Sequence, residues 1–340
     1  MFFDAVTRRA FGMGGAGESA PVSGQPYPPK RRQPKIGIAL GSGAARGWSH
    51  IGVLRALEAH GIPLHVIAGC SMGAVAGACW AAGKLDDLEE FARGLTRTRV
   101  VGLMDIQIAG SGLIAGNRLR RRLDKQIGDL TIEALPVAFA AVATELQTGH
   151  EVWLTRGRLV DAICASYALP GIFEAVNIGG RWLVDGALVN PVPVSAARAL
   201  GADIVIAVNM NGDMATKGAV IYSHGTAPGD APLPIEPEPT RSFRDQVMDA
   251  ATRINPFHRR DSAAPSLAGV MIDAFNITQD RISRSRLAGD PPDFLIAPRV
   301  GGVGLFDFQR AAESIDAGRE AAERVIEEIK LSIGQLAKTA

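Results

Sequence analysis

The strongest constraint on the fold is an alternation of short apolar runs and helical patterns between residues 35 and 82. Lys35–Leu40 is short, apolar and bounded by glycine, which predicts a buried strand, and Leu64–Ala68 predicts a second one. Arg46–Ala59 and Met72–Ala82 have the spacing of helices. The order strand, helix, strand, helix predicts parallel strands joined by right-handed crossovers. We therefore predict an α/β fold, a three-layer domain with a mainly parallel sheet flanked by helices.

The rest of the chain continues this series of predicted strands and helices, with one interruption. Residues 1–34 are rich in Gly, Pro and Ser and predict a disordered leader. Clustered prolines predict a mobile insertion at about 211–265 within a single domain over 35–335. Further helices are predicted over Asp86–Leu95, Asn117–Ile127, Leu159–Ala168, Leu267–Leu287 and Phe308–Leu331, further strands over Val137–Thr144, Glu151–Thr155, Ile204–Val208 and Asp293–Ala297, and a hairpin over Ala175–Ile178 and Arg181–Val184.

Charge and cysteine content exclude several classes of protein. With 36 basic and 35 acidic residues the net charge is +1, which argues against a nucleic-acid binder. Cys70, Cys79 and Cys164 are too few and too scattered for a disulfide framework or a zinc site, and no run of about 20 residues is apolar enough to span a bilayer. We expect a cytoplasmic protein without cofactor or metal. Peripheral contact with the inner face of the membrane stays open, and the oligomeric state is unknown.

The segment Gly69-Cys70-Ser71-Met72-Gly73 follows a predicted strand and opens a predicted helix. In this context Gly-x-Ser-x-Gly predicts a nucleophile elbow, a sharp turn that exposes the serine between small neighbours. The N-terminus of the helix behind Ser71 favours a developing negative charge. A tight turn with a capping serine is the alternative. We interpret Ser71 as the candidate nucleophile.

A serine nucleophile needs a general base, which is usually histidine. No histidine of this chain follows a convincing late strand: they are His50, His60, His65, His150, His224 and His258. Asp185, in contrast, ends an apolar hairpin strand and precedes Gly186-Ala187. Removal from water and a close hydrogen bond to serine would make this carboxylate a stronger base. A role in capping the next turn is the alternative for Asp185.

A glycine-rich loop, Gly41-Ser42-Gly43-Ala44-Ala45-Arg46-Gly47, joins the first predicted strand to the first helix. A dinucleotide loop would have glycine where Arg46 stands, and a phosphate-binding P-loop would have Lys followed by Ser or Thr. Two interpretations remain, a purely structural turn and a nest of N–H groups beside Ser71. Loops that follow parallel strands emerge at the same edge of a sheet. One donor aimed at a developing oxyanion is worth about 3 kcal/mol in catalysis.

Three motifs in this order resemble those of the patatin-like phospholipase family: Ser42-Gly43-Ala44-Ala45-Arg46-Gly47, Gly69-Cys70-Ser71-Met72-Gly73 and Asp185-Gly186-Ala187. The resemblance covers about residues 35–300. Gly41–Val53, Asn190–Pro193 and Ala288–Asp293 are similar to the bacterial RssA-type branch of that family. The resemblance implies a patatin-like domain, a Ser–Asp dyad without histidine, and cleavage of acyl esters of lipids.

Carried over by position, the resemblance implies Ser71 as the nucleophile and Asp185 as the proton acceptor. It implies an oxyanion hole in the loop Ser42–Gly47, formed by backbone amides around Gly43, Ala44 and Ala45, with Arg46 steadying the loop. The broader family has three consecutive glycines where this chain has Ser42-Gly43-Ala44. Ala44 keeps its N–H but is disfavoured at positive φ. Either this position needs no positive φ, or the oxyanion hole is imperfect and the activity low.

These expectations favour a serine acyl hydrolase of lipid esters, of the phospholipase, lysophospholipase or esterase type, which acts through an acyl-enzyme. A regulatory binding protein with the same fold and weak catalysis, and an acyltransferase that uses the same site, are the alternatives. The expected partner is a lipid or other acyl-ester substrate, and no pattern identifies its head group or acyl length. A basic cluster on a predicted helix favours either anionic lipid or a solvated helix face: Arg118, Arg120, Arg121 and Arg122.

Overall fold

A mixed β-sheet organises the chain. The computed structural model describes residues 33–103, 112–114, 116–212 and 267–339. The strands of this part are β1 Ile36–Leu40, β2 Val66–Cys70, β3 Gly112–Ile114, β4 Ala138–Glu145, β5 Glu151–Leu154, β6 Gly171–Phe173, β7 Val176–Ile178, β8 Arg181–Asp185, β9 Ile204–Val208 and β10 Phe294–Ile296. The main sheet has the order β10-β9-β1-β2-β4-β8-β7, with β5 also paired to β4, and β3 pairs with β6 separately. The five strands from β10 to β4 are parallel.

Helices cover both faces of this sheet. Within the described residues they are α1 Ser49–Ala59, α2 Met72–Ala81, α3 Leu85–Arg93, α4 Arg97–Leu103, α5 Asn117–Ile127, α6 Leu159–Ser166, α7 Val194–Ala199, α8 Leu267–Gly289, α9 Ala311–Glu323 and α10 Ile326–Thr339. Two predicted helices differ from the structure. The first begins with a separate 3₁₀ turn at Ala44–Trp48, and the last is divided into α9 and α10.

The sheet is the middle of three layers. On one face, Ile36, Ile38 and Leu40 of β1 pack in a core shared with α1, α2, α6 and α9. On the other face, the short side chains of Ala39 and Ala68 pack in a second core with α7 and α8. Since successive strand residues point to opposite faces, β1 contributes to both cores and is buried along its whole length. The predicted α/β class, with a mainly parallel sheet between helices, is confirmed.

One edge of strand β4 pairs with two strands in succession, first β2 and then β8, while the other edge pairs with β5. β5 pairs with Ala141–Thr144 on one edge, while β2 pairs on the other edge as far as Val142. β8 then pairs antiparallel with β4 from Ala143 onward. Because Ala143 and Thr144 also pair with β5, β8 must lie on the same edge as β2. The carboxyl ends of β2 and β8 therefore meet end to end beside β4.

A close helix crossing fixes the start of α1. A Cβ atom on Gly52 of α1 would lie 1.9 Å from the carbonyl oxygen of Ile315, and a Cβ on Gly318 of α9 would lie 2.0 Å from that of Ser49. The two helices approach this closely only because glycine stands at both crossing positions. Helix α9 thus holds the segment that immediately follows the glycine-rich loop.

Some predictions lie largely outside the described residues. These are the leader at 1–34, of which the structure describes only the last two residues, and the insertion at about 211–265, of which it describes only the first two. All three cysteines are buried free thiols. None of the described helices combines the length and the apolar character needed to cross a membrane.

Candidate active site

Ser71 occupies the sharp turn between β2 and α2. Its backbone has φ 54° and ψ −120°, a conformation that costs a non-glycine residue on the order of 1–3 kcal/mol. The amide of Ser71 donates to Oγ of Ser166 at 2.9 Å, and this hydroxyl donates to the carbonyl oxygen of Val142 at 2.6 Å. Ser166 therefore links the strained turn to strand β4.

The glycines of the elbow permit a close approach between backbones. A Cβ atom on Gly73 would lie 2.1 Å from the carbonyl oxygen of Leu40, and a Cβ on Gly69 would lie 2.5 Å from Cα of Ala74. A larger residue at either position would push the turn away from β1 or from its own helix. The spacing of the glycines in the motif is thus explained by contacts within the turn and with the end of β1.

Asp185 lies beside Ser71 because β2 and β8 meet end to end. Asp185 is the last residue of β8 and pairs with Ala143 of β4, next to the Val142–Cys70 pair. Its Oδ1 atom accepts a hydrogen bond from the amide of Ala187 at 2.9 Å. The hydroxyl of Ser71 lies close enough to this carboxyl group to favour its ionised form, and both residues line the same cavity. The structure therefore brings the two residues together, 114 positions apart in the chain.

The surroundings of Asp185 favour its protonated form. Only 2% of the residue is exposed. Burial raises the pKa of Asp185 from 3.8 to about 6, against the opposing effect of the neighbouring polar groups of Ala187, Ser71 and Cys70. A buried carboxylate loses hydration, which makes it a stronger base than one in water. At neutral pH Asp185 is therefore mainly ionised and accepts a proton more readily than an ordinary aspartate.

None of the described histidines forms a hydrogen bond or ion pair with Ser71 or Asp185; each contacts other groups. His50 is fully buried, and its Nε2 atom lies 2.7 Å from the carbonyl oxygen of Gly41. Burial lowers the pKa of His50 to about 4, so a neutral ring donates this hydrogen bond. The other three contact different groups: His60 with Glu323, His65 with the amide of Ile36, and His150 with Glu145. His224 and His258 lie outside the described residues.

Four of the seven amides of the glycine-rich loop already donate hydrogen bonds to carbonyl oxygens. The acceptors lie 2.8 to 3.0 Å away: the amides of Gly41, Ser42, Ala45 and Arg46 donate to the carbonyl oxygens of Val208, Pro191, Leu305 and Gly43, respectively. Gly47 is inside the 3₁₀ turn and packs against Met72. These hydrogen bonds hold the loop in one conformation. They also use backbone amides that the sequence alone leaves as candidates for an oxyanion hole.

The amides of Gly43 and Ala44 differ from their neighbours. Within the described part of the chain neither of them donates to a protein acceptor, and both residues line the cavity that reaches Ser71 and Asp185. Ala44 has φ 46°, in the left-handed region, whereas Gly43 has an extended φ of 172°. The position where the broader family has its third glycine thus does adopt a positive φ here.

Two side chains tie the same loop to distant segments. Oγ of Ser42 donates to Oε1 of Gln279 in α8 at 2.8 Å, and Nε of Arg46 donates to the carbonyl oxygen of Val303 at 2.8 Å. Ser42 and Arg46 are both buried, and burial lowers the pKa of the Arg46 guanidinium. Both side chains therefore hold the loop in place through contacts more than 230 residues away in sequence.

Replacing Ala44 by glycine is expected to relieve the backbone strain. Ala44→Gly should raise the free energy of unfolding by about 0.5 kcal/mol, because relief of the left-handed alanine slightly exceeds the entropy that glycine adds to the unfolded chain. Chemical denaturation measures this change. The control is Ala274→Gly at an exposed position inside α8, which should lower that free energy by about 1 kcal/mol. Equal losses in both variants would contradict strain at Ala44.

An apolar cavity begins at Ser71. Besides the Ser71–Asp185 pair and the loop residues Gly43 and Ala44, its lining is mostly aliphatic and aromatic. The apolar members are Trp48, Met72, Val75, Leu88, Phe91, Leu95, Val100, Leu119, Leu123, Leu169, Ile172, Phe173, Phe275, Leu305, Phe306 and Phe308. A cavity of this character accommodates a hydrocarbon chain and leaves a polar reacting group at its Ser71 end.

Sequence reasoning missed two residues next to this site. Ser166 supports the turn of Ser71, yet it lies at the end of α6 with no motif around it. Gln279 bonds to the glycine-rich loop and lines the cavity, although it belongs to a helix far along the chain. No signal in the sequence marks Ser166. Gln279 has no sequence signal either, because its burial, with 6% of the residue exposed, is seen only in the structure.

Comparisons with known proteins found chains similar to this one. A family model described as "Patatin-like phospholipase" matches residues 38–198. An uncharacterized NTE family protein of Mycobacterium tuberculosis is 32% identical, covering 88% of this chain and 93% of the relative. "Lysophospholipase nte1" of Aspergillus fumigatus is 25% identical over 87% of this chain, which spans 18% of that protein. Among solved structures, VipD from Legionella pneumophila has a TM-score of 0.45 at 13% identity, covering 87% of this chain and 67% of that one.

Proposed function

Because this chain belongs to the patatin-like phospholipase family, we propose that it hydrolyses acyl esters of lipids with Ser71 as nucleophile and Asp185 as general base. The observation that carries the proposal is a buried Ser–Asp pair in the wall of an apolar cavity. The strained backbone of Ser71 supports it, since strain of this kind is concentrated at functional sites. Assignment to the RssA-type branch stays a prediction.

The proposed reaction has two steps. In the first, Oγ of Ser71 attacks the ester carbonyl carbon while Asp185 takes the hydroxyl proton. The tetrahedral intermediate then expels the alcohol, which receives this proton, and leaves an acyl-enzyme. In the second step, water attacks the acyl-enzyme as Asp185 takes a proton from it, and the intermediate releases the fatty acid while the proton returns to Ser71.

The oxyanion of both steps needs donors that are not otherwise used. Of the proposed loop residues, Gly43 and Ala44 have amides without a protein acceptor among the described residues, and they border the cavity. We therefore narrow the proposed oxyanion hole to these two amides. Ser42, Ala45 and Arg46 support the loop instead, and Gly47 allows Met72 to pack against it. Donors fixed before the reaction require no reorganisation when the charge develops.

The apolar cavity leads to an expected dependence on acyl length. Hydrolysis of 4-nitrophenyl esters by the whole chain should increase in kcat/KM by about tenfold or more from acetate to decanoate, because each buried methylene contributes up to ~0.8 kcal/mol. Mass spectrometry after treatment with a fluorophosphonate should locate the adduct on the peptide that contains Ser71. A folded protein that neither hydrolyses these esters nor forms the adduct would instead favour the regulatory binding protein, and transfer of the acyl group to added glycerol would favour the acyltransferase.

A further inference from the structure

One face of α5 directs polar side chains toward the apolar cavity. Four residues of this helix line it, and their spacing of i, i+3, i+4 and i+7 puts them on a single stripe: Leu119, Arg122, Leu123 and Gln126. Leucine at two of these positions matches the rest of the cavity, and arginine and glutamine do not. Among the described lining residues, Arg122 is the one that carries a positive charge.

Arg122 is placed where the cavity meets solvent. Its side chain is exposed, whereas the neighbouring Leu123 is only 4% exposed. The guanidinium carbon lies 4.2 Å from the centre of the Phe91 ring, which also lines the cavity. This contact holds one face of the guanidinium against the cavity wall. Among the described residues, the N–H groups at its edge have no acceptor.

Arg122 has no anionic partner within the described residues, unlike other arginines of this region. Arg120, two positions earlier, pairs with Asp161, and Arg158 pairs with Asp124 at 3.0 Å. The opening of the cavity thus presents a cation whose charge no described residue neutralises. A planar guanidinium with free edges is suited to bind phosphate through two parallel hydrogen bonds.

We propose that Arg122 forms an anion subsite at the opening of the cavity and binds the phosphate group of an amphiphile whose hydrocarbon chain lies inside. The inference rests on the proposed function for the orientation of the substrate, with its ester at Ser71. It adds selectivity, because a neutral ester with the same chain gains nothing from Arg122. Gln126, one turn further along α5, lines the same stretch and offers a second donor.

The test compares two ligands that differ only in the phosphate. Binding of 1-O-dodecylglycerol 3-phosphate and of 1-O-dodecylglycerol to the full chain is measured below their critical micelle concentrations. The wild type should bind the phosphate ligand about tenfold more tightly, a preference that decreases with added salt. Arg122→Gln should bind both ligands with equal affinity and keep the affinity for the neutral ligand within about twofold.

The matched control is Lys125→Gln, which removes an exposed cation of the same helix that does not line the cavity. It should retain the preference of the wild type. A preference that persists in Arg122→Gln, an equal loss in Lys125→Gln, or no preference in the wild type would overturn the proposal. Both ligands are ethers and cannot be hydrolysed, so the anion subsite is tested separately from catalysis. If the phosphate preference depends on Arg122 but no ester is cleaved, the subsite stands and the hydrolase proposal fails.

Discussion

Ser71→Ala is expected to reduce ester hydrolysis by about 10⁴-fold or more, since removal of a nucleophile abolishes the covalent pathway. The reaction with a fluorophosphonate should disappear as well. The fold should be retained, because alanine keeps the Cβ atom and the Ser71 amide that donates to Ser166 is unchanged. Steady-state kinetics with a decanoyl ester, together with thermal unfolding, check these expectations.

The control for this variant is Ser285→Ala. Ser285 is exposed on α8, and its replacement should leave both the hydrolysis rate and the fluorophosphonate adduct unchanged. Activity of Ser71→Ala within about tenfold of the wild type, with a normal melting temperature, would eliminate Ser71 as the nucleophile. Ester hydrolysis would then have to proceed through a different nucleophile.

Asp185→Asn is expected to reduce kcat/KM by about 10³-fold, because the amide cannot accept the proton of Ser71. For the wild type, kcat/KM should fall about tenfold for each pH unit below the pKa of Asp185, which burial raises to about 6. Above this pH it should be constant. The variant should lose this dependence together with the activity. A pH profile with an uncharged ester measures both effects.

The same substitution should stabilise the protein above neutral pH. The folded state binds the proton of Asp185 more tightly than the unfolded chain, with a pKa of about 6 against 3.8. Its contribution to stability is therefore present below about pH 4 and is lost as the pH rises through 6. At pH 8 the free energy of unfolding of Asp185→Asn should exceed that of the wild type by about 3 kcal/mol, and the difference should vanish below about pH 3.

Asp129→Asn is the control for the loss of one negative charge. The side chain of Asp129 is 97% exposed, so its replacement should change neither the rate nor the pH profile. In Asp185→Asn the new asparagine precedes Gly186, a sequence prone to deamidation back to aspartate, and Asp185→Ala is therefore assayed in parallel. A variant without the carboxylate that keeps the wild-type pH profile would assign the base to another residue.

The sequence predicted those parts of the molecule that depend on local patterns. The parallel strands around β1 and β2 follow from apolar runs bounded by glycine, and the turn at Ser71 follows from Gly69 and Gly73. The hairpin of β7 and β8 follows from the glycine pair between them. In each case a few adjacent residues determine the local backbone conformation, so the feature can be predicted from a single sequence.

Features that depend on long-range packing were not accessible in this way. The end-to-end meeting of β2 and β8 beside β4 requires the pairing of three segments, and no single segment encodes it. The tethers of the glycine-rich loop to Gln279 and Val303 span more than 230 residues. Backbone hydrogen bonds to Val208, Pro191 and Leu305 likewise occupy several amides of the loop. The loop motif alone therefore predicted six candidate residues for the oxyanion hole, Ser42–Gly47, whereas the described hydrogen bonds favour the amides of Gly43 and Ala44. The positive φ of Ala44 is not predictable from its residue type either, because alanine disfavours the left-handed region.

The contacts of the glycine-rich loop with Gln279 and Val303 also limit how short a fragment of this chain could fold by itself. The family model ends at residue 198, but Gln279, Val303 and Leu305, which hold the glycine-rich loop, all lie beyond that point. So does β9, the neighbour of β1 on one side. A fragment cut at the limits of the match would turn β1 into an unprotected edge strand, which invites pairing with other chains. Moving this candidate site into another scaffold therefore requires the C-terminal third of the protein along with the motifs.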